Sequence, residues 1–353
     1  DGVWQLARTA TVQIKQIAER VGLSPSTVSI VLNGRGDEMR ISKESQRRVL
    51  EAAKEMSYRP AGNARHPRTI AEDQAEKTVG VFWNENFGED TMSRYFSGLF
   101  KASEENHYDV EFVVKMFRNG ELSALRDHMN QKRYSGILIC GVSSADMEYL
   151  NEQEFDVPVV VNRPSNKFSS VCADAYEIGA ECARMFAKRG FRTAGILSAN
   201  AGSIGIGLRE LGFLNECRTS GLTVRDEWIV KGKSMDMESG YECAKSFSEM
   251  KERPEGLFIL LDSLALGAMM QFKGSDIRIP EEMSIVAYGL NPMLRHISPS
   301  VTMIGNSMVD TGRNAIDILM TVMNNKISMP ISKLIPLKYE FGETFRLAGM
   351  EKK

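Results

Sequence analysis

IKQIAERVGLSPSTVSIVLNG, residues 14–34, decides how the N-terminal region folds. Ile14, Ile17, Ala18 and Val21 recur at i, i+3, i+4 and i+7, which puts them on one face of a helix. Gly22 ends that helix, because a residue without Cβ enters the left-handed cap conformation freely. Leu23 anchors a tight turn, Ser24 stands at the N-cap of a second helix, and Pro25 takes its first position, where a missing N–H is harmless. The second helix is predicted from Pro25 to about Leu32. Val28, Val31 and Leu32 form its inner stripe, and Ser26, Thr27, Ser29, Ile30 and Asn33 face elsewhere. That outer side is small and uncharged, suited to close approach into a major groove: hydroxyls and N-terminal amides reach phosphates, and methyls reach thymine. A third helix, capped by Ser42, turns Val49, Leu50, Ala53 and Met56 inward and closes a small core with Tyr58. Two of these helices alone would fit any bundle. The third makes the region a helix-turn-helix with a glycine at its first turn.

Charge supports a DNA-facing head. The 353-residue chain has a net charge of −2, yet residues 11–69 hold eleven Lys/Arg against six Asp/Glu, a net of +5, which leaves −7 after Thr69. A basic head on an acidic body is expected when one domain alone meets a polyanion. Hydrophobic residues at 42% and charged residues at 25% are ordinary for globular domains, and the length suggests two or three of them. No apolar run approaches a membrane span, and residues 1–10 lack a signal-peptide core, so a cytoplasmic protein with no membrane contact is expected. Five scattered cysteines without a CxxC pair read as buried thiols, and the four histidines are too far apart for a metal site. No cofactor is expected.

Beyond the head, PAGNARHPRTIAEDQAEKT, residues 60–78, is small and polar, a linker without a core stripe. Strand-like runs then alternate with helical patterns. VGVFW is followed by a helix near Met92–Glu105 and VEFVV by a helix near Leu122–Lys132; GILICG, VPVVVN, AGILSA, WIVKG, GLFILL and SIVAYG continue the series. Short buried strands separated by helices mean parallel α/β sheets. Two sets of strands over this length imply two lobes with a cleft between them, where small molecules bind at strand C-termini. The expected domains are a headpiece at 11–59, a linker at 60–77 and a two-lobed body at 78–345.

The runs IKQIAERVGLSPSTVSIVLNG and ISKESQRRVLEAAKEMSYRP together resemble the DNA-binding headpiece of the lactose/galactose-repressor (LacI/GalR) family, most specifically in VGLSxxTVSxVLN. The resemblance implies base-reading positions for Pro25, Ser26 and Ile30, and supporting phosphate contacts for Thr27, Ser29 and Asn33, with Ser24 capping. The family often carries arginine where this chain has Ile30, so a bidentate grip on guanine is missing and a half-site read by thymine methyls and shape is expected there. In the family, part of the linker becomes a hinge helix on the minor groove when operator is bound. Asn63, Ala64, Arg65 and Arg68 fit that pattern. Pro67 falls where the family commonly wedges a leucine between bases, and proline disfavours helix at the preceding residue. Either Pro67 is itself the wedge or the hinge helix is short.

Looser matches run through the body: VPVVVNR, GFRTAGILS, LRELGF, LLDSLALGAM, IPEEMSIVAYG and SPSVTMIGNSMVDTG. They imply a type I periplasmic-binding-protein architecture with an effector in its cleft. Arg209 in LRELGF is then the leading effector contact, its planar fork suited to hydroxyl pairs or a carboxylate. Asp262, Arg163, Ser203 and Tyr95 or Phe96 are further wall residues. Two departures stand out, since the family's usual aspartate is Gly289 here and an aromatic stacking position is Met235. Trp83 is either a replacement stacking surface or core packing.

The expected partners are operator DNA bound by a homodimer, with no tetramer-forming leucine heptad after Phe345, and a small-molecule effector, a sugar or sugar derivative. A protein co-regulator on the body is the alternative. An oxidoreductase is disfavoured: after AGILSA the glycines Gly202, Gly205 and Gly207 fall as GxxGxG, not GxGxxG. No Walker loop, GxSxG elbow or HExxH occurs, so those enzyme classes lack their parts.

Overall fold

A computed structural model describes residues 14–32, 36, 39–56, 77–200 and 203–345. It divides into two units, Asp1–Ala75 and Glu76–Lys353.

In the first unit, α1 (Ile14–Val21), α2 (Pro25–Leu32) and α3 (Lys43–Glu55) enclose Ile17, Ala18, Val21, Val28, Val31, Val49, Ala52 and Ala53. Leu50, expected on the inner face of α3, is 53% exposed. Val49, Ala52, Ala53 and Met56 hold the i, i+3, i+4, i+7 positions that face α1 and α2, and Leu50 lies off that stripe. Tyr58 lies outside the described residues.

The second unit contains two six-stranded sheets. The first is ordered β11-β5-β4-β3-β1-β2, from β1 (Lys77–Asn84), β2 (Val110–Phe117), β3 (Gly136–Cys140), β4 (Val159–Val161), β5 (Ser169–Cys172) and β11 (Ser332–Leu334). The second is ordered β12-β10-β9-β8-β6-β7, from β6 (Ala194–Ala199), β7 (Ile229–Gly232), β8 (Gly256–Ile259), β9 (Ser284–Tyr288), β10 (Thr302–Gly305) and β12 (Lys338–Glu340). All pairings are parallel except β10 with β12. The central strands β3, β6 and β8 are buried along their whole length, which accounts for their uninterrupted apolar sequence.

With lobe 1 built on the first sheet and lobe 2 on the second, the chain passes between the lobes three times. It enters lobe 2 after β5 and returns to lobe 1 after β10, through α12 (Met308–Asn325), which packs on β3, β4 and β5. It re-enters lobe 2 between β11 and β12.

Three helix pairs pack backbone to backbone, each through reciprocal glycines. A Cβ on Gly98 of α4 (Glu89–Glu105) would lie 2.0 Å from the Val309 carbonyl oxygen, and one on Gly312 of α12 would lie 2.1 Å from that of Tyr95. Gly179 of α7 (Ala175–Arg189) and Gly212 of α8 (Ile204–Thr219) relate in the same way, at 1.9 Å from the Arg209 oxygen and 2.0 Å from the Tyr176 oxygen. So do Gly240 of α9 (Met237–Glu249) and Gly267 of α10 (Asp262–Lys273).

Each of the eight apolar runs singled out in the sequence contains a strand. The helix expected over Leu122–Lys132 is instead a 3-10 turn, Leu122–Leu125, and a four-residue helix α5 (Arg126–Met129). The buried Asp146 carboxylate takes the N–H groups of Gly120 and Leu122, both at 3.1 Å, and so fixes a turn where a longer helix would begin. Cys140, Cys182, Cys217 and Cys243 are buried free thiols, and Cys172 is half-buried. Among the described residues no helix is long and apolar enough to cross a membrane, and no group of three or more His, Cys, Asp or Glu is placed to hold a metal.

Candidate DNA-binding face and effector cleft

The α1–α2 turn is held by local chemistry. Gly22 adopts φ 66°, and the Leu23 N–H bonds back to the Ala18 carbonyl at 3.1 Å. Ser24 Oγ accepts from the Thr27 amide at 3.1 Å and lies 2.8 Å from Thr27 Oγ1, so an N-cap satisfies one of the free amides of α2. Arg48 of α3 donates to the Val21 carbonyl at 2.6 Å, placing positive charge at the C-terminal end of α1. With Val28 and Val31 buried, Ser24, Pro25 and Ser26 are exposed or nearly so, while Thr27, Ser29 and Ile30 are at least partly open to solvent. These six sit together at the N-terminal end and outer flank of α2, forming one candidate face. Asn33, Asn63, Arg65 and Pro67 lie outside the described residues. Replacing Ser24 with Ala removes the cap and should lower headpiece stability by about 1 kcal/mol. Urea unfolding of the 1–75 unit measures this, and an unchanged midpoint would contradict the capping role.

In the second unit, residues that follow strands of the two lobes meet: Arg94 of α4, after β1, reaches Asp262, after β8. Arg163 follows β4 of lobe 1, and its Nε donates to the Val142 carbonyl at 3.2 Å. Arg209 of α8 in lobe 2 is 6% exposed. Its Nη2 donates to the Leu260 carbonyl at 3.2 Å, and its guanidinium lies 3.6 Å from the centre of the Tyr288 ring. Burial pulls the pKa of both arginines down; for Arg163 the nearby Arg209 charge adds to this. Tyr288 donates from its hydroxyl to Asn306 Oδ1 at 3.0 Å, just beyond β10, where the chain crosses back to lobe 1. The Arg209 stack is thus connected to an inter-lobe crossover.

Asp262 has a different partner from the one expected. Its carboxylate accepts from Arg94 of α4 at 3.0 Å, an ion pair joining lobe 2 to lobe 1. Arg94 also pairs with Asp90 at 2.7 Å, and Asn291 of lobe 2 donates to Asp90 at 3.3 Å. A Cβ on Gly289, at φ 111°, would stand 2.9 Å from the Asp262 side chain. The chain therefore has no room for a second carboxylate there, which explains the glycine. Burial raises the Asp262 pKa while Arg94 draws it down.

Among the remaining candidates, Ser203 precedes α8 beside Arg163 and Arg209. Trp83, read from the sequence as either a stacking surface or core packing, and Tyr95, read as a wall residue, are both enclosed in the lobe 1 core with ring centres 5.4 Å apart. Phe96 continues that cluster towards Phe100 and Phe112. Met235 packs between the two lobe 2 core clusters, and its carbonyl accepts from Ser263 Oγ at 2.5 Å. Sequence reasoning missed Arg94 and Tyr288. Tyr288 lies inside the VAYGL match; Arg94 carries no local signal, because its partner is 168 residues away.

Removing Arg94 as Arg94→Met leaves a largely buried Asp262 without its cation, and stability should fall by about 1–3 kcal/mol. The R94M/D262N pair should recover most of that loss, and a double-mutant coupling below about 0.5 kcal/mol would count against the ion pair as an inter-lobe tie.

The family model for bacterial regulatory proteins of the lacI family matches residues 13–61, and that for the periplasmic binding protein-like domain matches residues 164–345. The chain is 28% identical to the HTH-type transcriptional repressor PurR of Pectobacterium atrosepticum, over 89% of this chain and 91% of that protein. The structure superposes on a LacI family transcription regulator from Clostridium acetobutylicum with a TM-score of 0.70 at 26% identity, over 74% of this chain and 98% of that one. A lac repressor dimer bound to operator and an anti-inducer shares the fold with a TM-score of 0.71 at 18% identity, over 95% of this chain and 99% of that one. These relatives are regulators rather than enzymes. Head, body and relatives agree, and the chain belongs to the lacI family of bacterial regulatory proteins, a DNA-binding regulator with an effector-binding domain.

Proposed function

We propose that the protein is a transcriptional repressor that binds a pseudo-palindromic operator as a homodimer and is controlled by a small effector, a sugar or sugar derivative, held between the lobes of its body. The observation that carries effector control is Arg209. Its buried Nε has no hydrogen-bond partner among the described residues, at the meeting of two lobes that are linked by an ion pair and three chain crossings. A buried charged donor left unmatched favours a ligand that supplies acceptors. Repression agrees with the PurR relatives, which are transcriptional repressors.

On the DNA side, α2 enters the major groove with Pro25, Ser26 and Ile30 at base edges, and Ser24, Thr27, Ser29 and Asn33 at phosphates. Asn63, Arg65 and Pro67 act at the minor groove between half-sites. One headpiece offers too little surface for a specific site, so two subunits share a two-fold operator. Exposed Phe100, Val114 and Met116, beside Phe96 and Phe112 on α4 and β2, provide an apolar face fit for a second copy. Closing or opening the cleft changes the lobe angle and with it the spacing of the two headpieces.

The test is anisotropy titration of the full chain into duplexes recovered by selection, with sedimentation in parallel. The expected results are a two-fold site and a dimer; selection of unpaired single half-sites, or a tetramer, would overturn the assembly. A thermal-shift screen of sugars, nucleobases and phosphorylated sugars tests effector control, because a ligand bound to the native state raises the melting temperature by mass action.

A further inference from the structure

Three polar groups converge on one point at the start of α8. From the position that a Cβ on Gly205 would occupy, Arg163 Nη1 is 3.2 Å away, Arg209 Nη1 3.6 Å and Ser203 Oγ 3.9 Å. One arginine comes from each lobe. The helix N-terminus beside them is electrically unanswered: Ser203 makes no side-chain cap bond, and the first turn of α8 holds no acidic residue. A 16-residue helix presents partial positive charge and free amides at that end. Arg209 is buried with an unmatched Nε. Asp262, the carboxylate whose charge reaches Arg209, is itself bonded to Arg94 at 3.0 Å, a cation it shares with Asp90. No carboxylate among the described residues pairs with Arg163 or Arg209 within salt-bridge distance.

Two like charges brought together with a helix N-terminus, all partly desolvated, form an unfavourable arrangement until an anion enters it. Guanidinium groups bind oxyanions through paired N–H donors, and burial strengthens such charge-assisted bonds. Glycine at 205 puts no side chain among these three groups.

We propose that the effector carries an oxyanion, a phosphate monoester or a carboxylate, seated at Gly205 between Arg163, Arg209 and the N-terminus of α8. This rests on the reading that the cleft holds a small effector. It narrows that effector from any sugar derivative to an acidic one. The anion links an arginine of lobe 1 to an arginine of lobe 2, so its charge favours lobe closure directly.

The test uses the full chain and simple probes, inorganic phosphate and acetate, against chloride at equal ionic strength, read by calorimetry and melting temperature. Saturable binding of phosphate or acetate, one per chain, is expected, and the tighter of the two identifies phosphate or carboxylate as the natural group. Arg163→Met and Arg209→Met should each weaken it about tenfold or more, and Arg163→Lys should retain part of it. Gly205→Ala provides the control for folding. Its methyl enters the anion seat while both charges remain, so binding should drop with the melting temperature kept or raised. No saturable binding by either anion, or binding indifferent to all three positions, overturns the proposal. A neutral sugar or nucleobase that binds, loses affinity in R209M and is not displaced by phosphate or acetate also overturns it, yet leaves the effector cleft standing. Failure of every metabolite to bind would instead remove the effector reading itself.

Discussion

Replacing Gly267 with Ala should lower the melting temperature of the body by roughly 6–12 °C, the shift expected for about 3 kcal/mol in a unit of this size. The added Cβ would lie 1.8 Å from the Met237 carbonyl oxygen and 2.7 Å from the Tyr241 amide nitrogen. Relief requires α9 and α10 to part by about 1.5 Å, because carbon contacts settle near ~3.5 Å and backbone has no rotamer to change. Overpacking a core ordinarily destabilises by about 1–3 kcal/mol, and a clash against helix backbone belongs at the upper end. The separation would spread along the whole α9–α10 interface, including the reciprocal Gly240, whose Cβ would be 2.2 Å from the Leu264 oxygen. Gly207→Ala is the matched control. Gly207 is helical and exposed with no atom near its Cβ, so alanine there should be neutral or stabilise by up to about 1 kcal/mol. Calorimetry on the two variants decides it; equal melting temperatures would refute backbone contact between these helices.

These contacts also show where the sequence stops being informative. The buried parallel strands were legible because burial on both faces demands unbroken apolar residues, as in GILIC and AGILSA. β5, SSVC, was not. Its serines are buried and bonded to the Ile331–Ser332 segment, Ser170 Oγ to Ser332 Oγ at 3.1 Å and the Ile331 N–H to Ser169 Oγ at 3.0 Å, so its strand character depends on residues 162 positions away. β11 is exposed throughout, and no hydrophobic pattern could mark it. In the headpiece nearly everything is local, caps and turn included, and among the described residues the pattern departs from the expectation at Leu50, one position off the buried stripe. In the cleft, the family pattern pointed to Arg209, Asp262 and Arg163. What decides their chemistry is non-local: Asp262 bonds Arg94 of the other lobe, and neither Arg163 nor Arg209 has a carboxylate within salt-bridge distance among the described residues. Residue identity was readable, but net charge at the site required knowing which side chain meets which.

Introducing arginine at Ile30 should move the operator preference of the protein, the second large effect. Ile30 lies on α2, partly exposed beside Ser26 and Thr27, with Val28 and Val31 turned into the core. Its branched apolar side chain has no donor, so the base contact proposed for it would discriminate by fit against a thymine methyl and by local shape. In Ile30→Arg the longer side chain extends past the same flank and offers two parallel N–H donors, which match guanine O6 and N7. A bidentate pair of that kind gives about 1–3 kcal/mol of discrimination, or roughly 5- to 150-fold between guanine and other bases at the position. The new charge also strengthens binding to every duplex through phosphate, so absolute affinity is the wrong readout. The informative quantity is the ratio of dissociation constants for two duplexes differing only at that base pair, measured at one salt concentration. The unmodified chain should show a ratio near unity or a thymine preference, and the Ile30→Arg variant a guanine preference in both half-sites of the operator. Because α2 is capped by Ser24 and anchored by Val28 and Val31, the exchange leaves the helix in place, and circular dichroism of the 1–75 unit should confirm that. A strict guanine already required by the unmodified chain, or no change in preference with the fold intact, would show that α2 meets the groove along a different face.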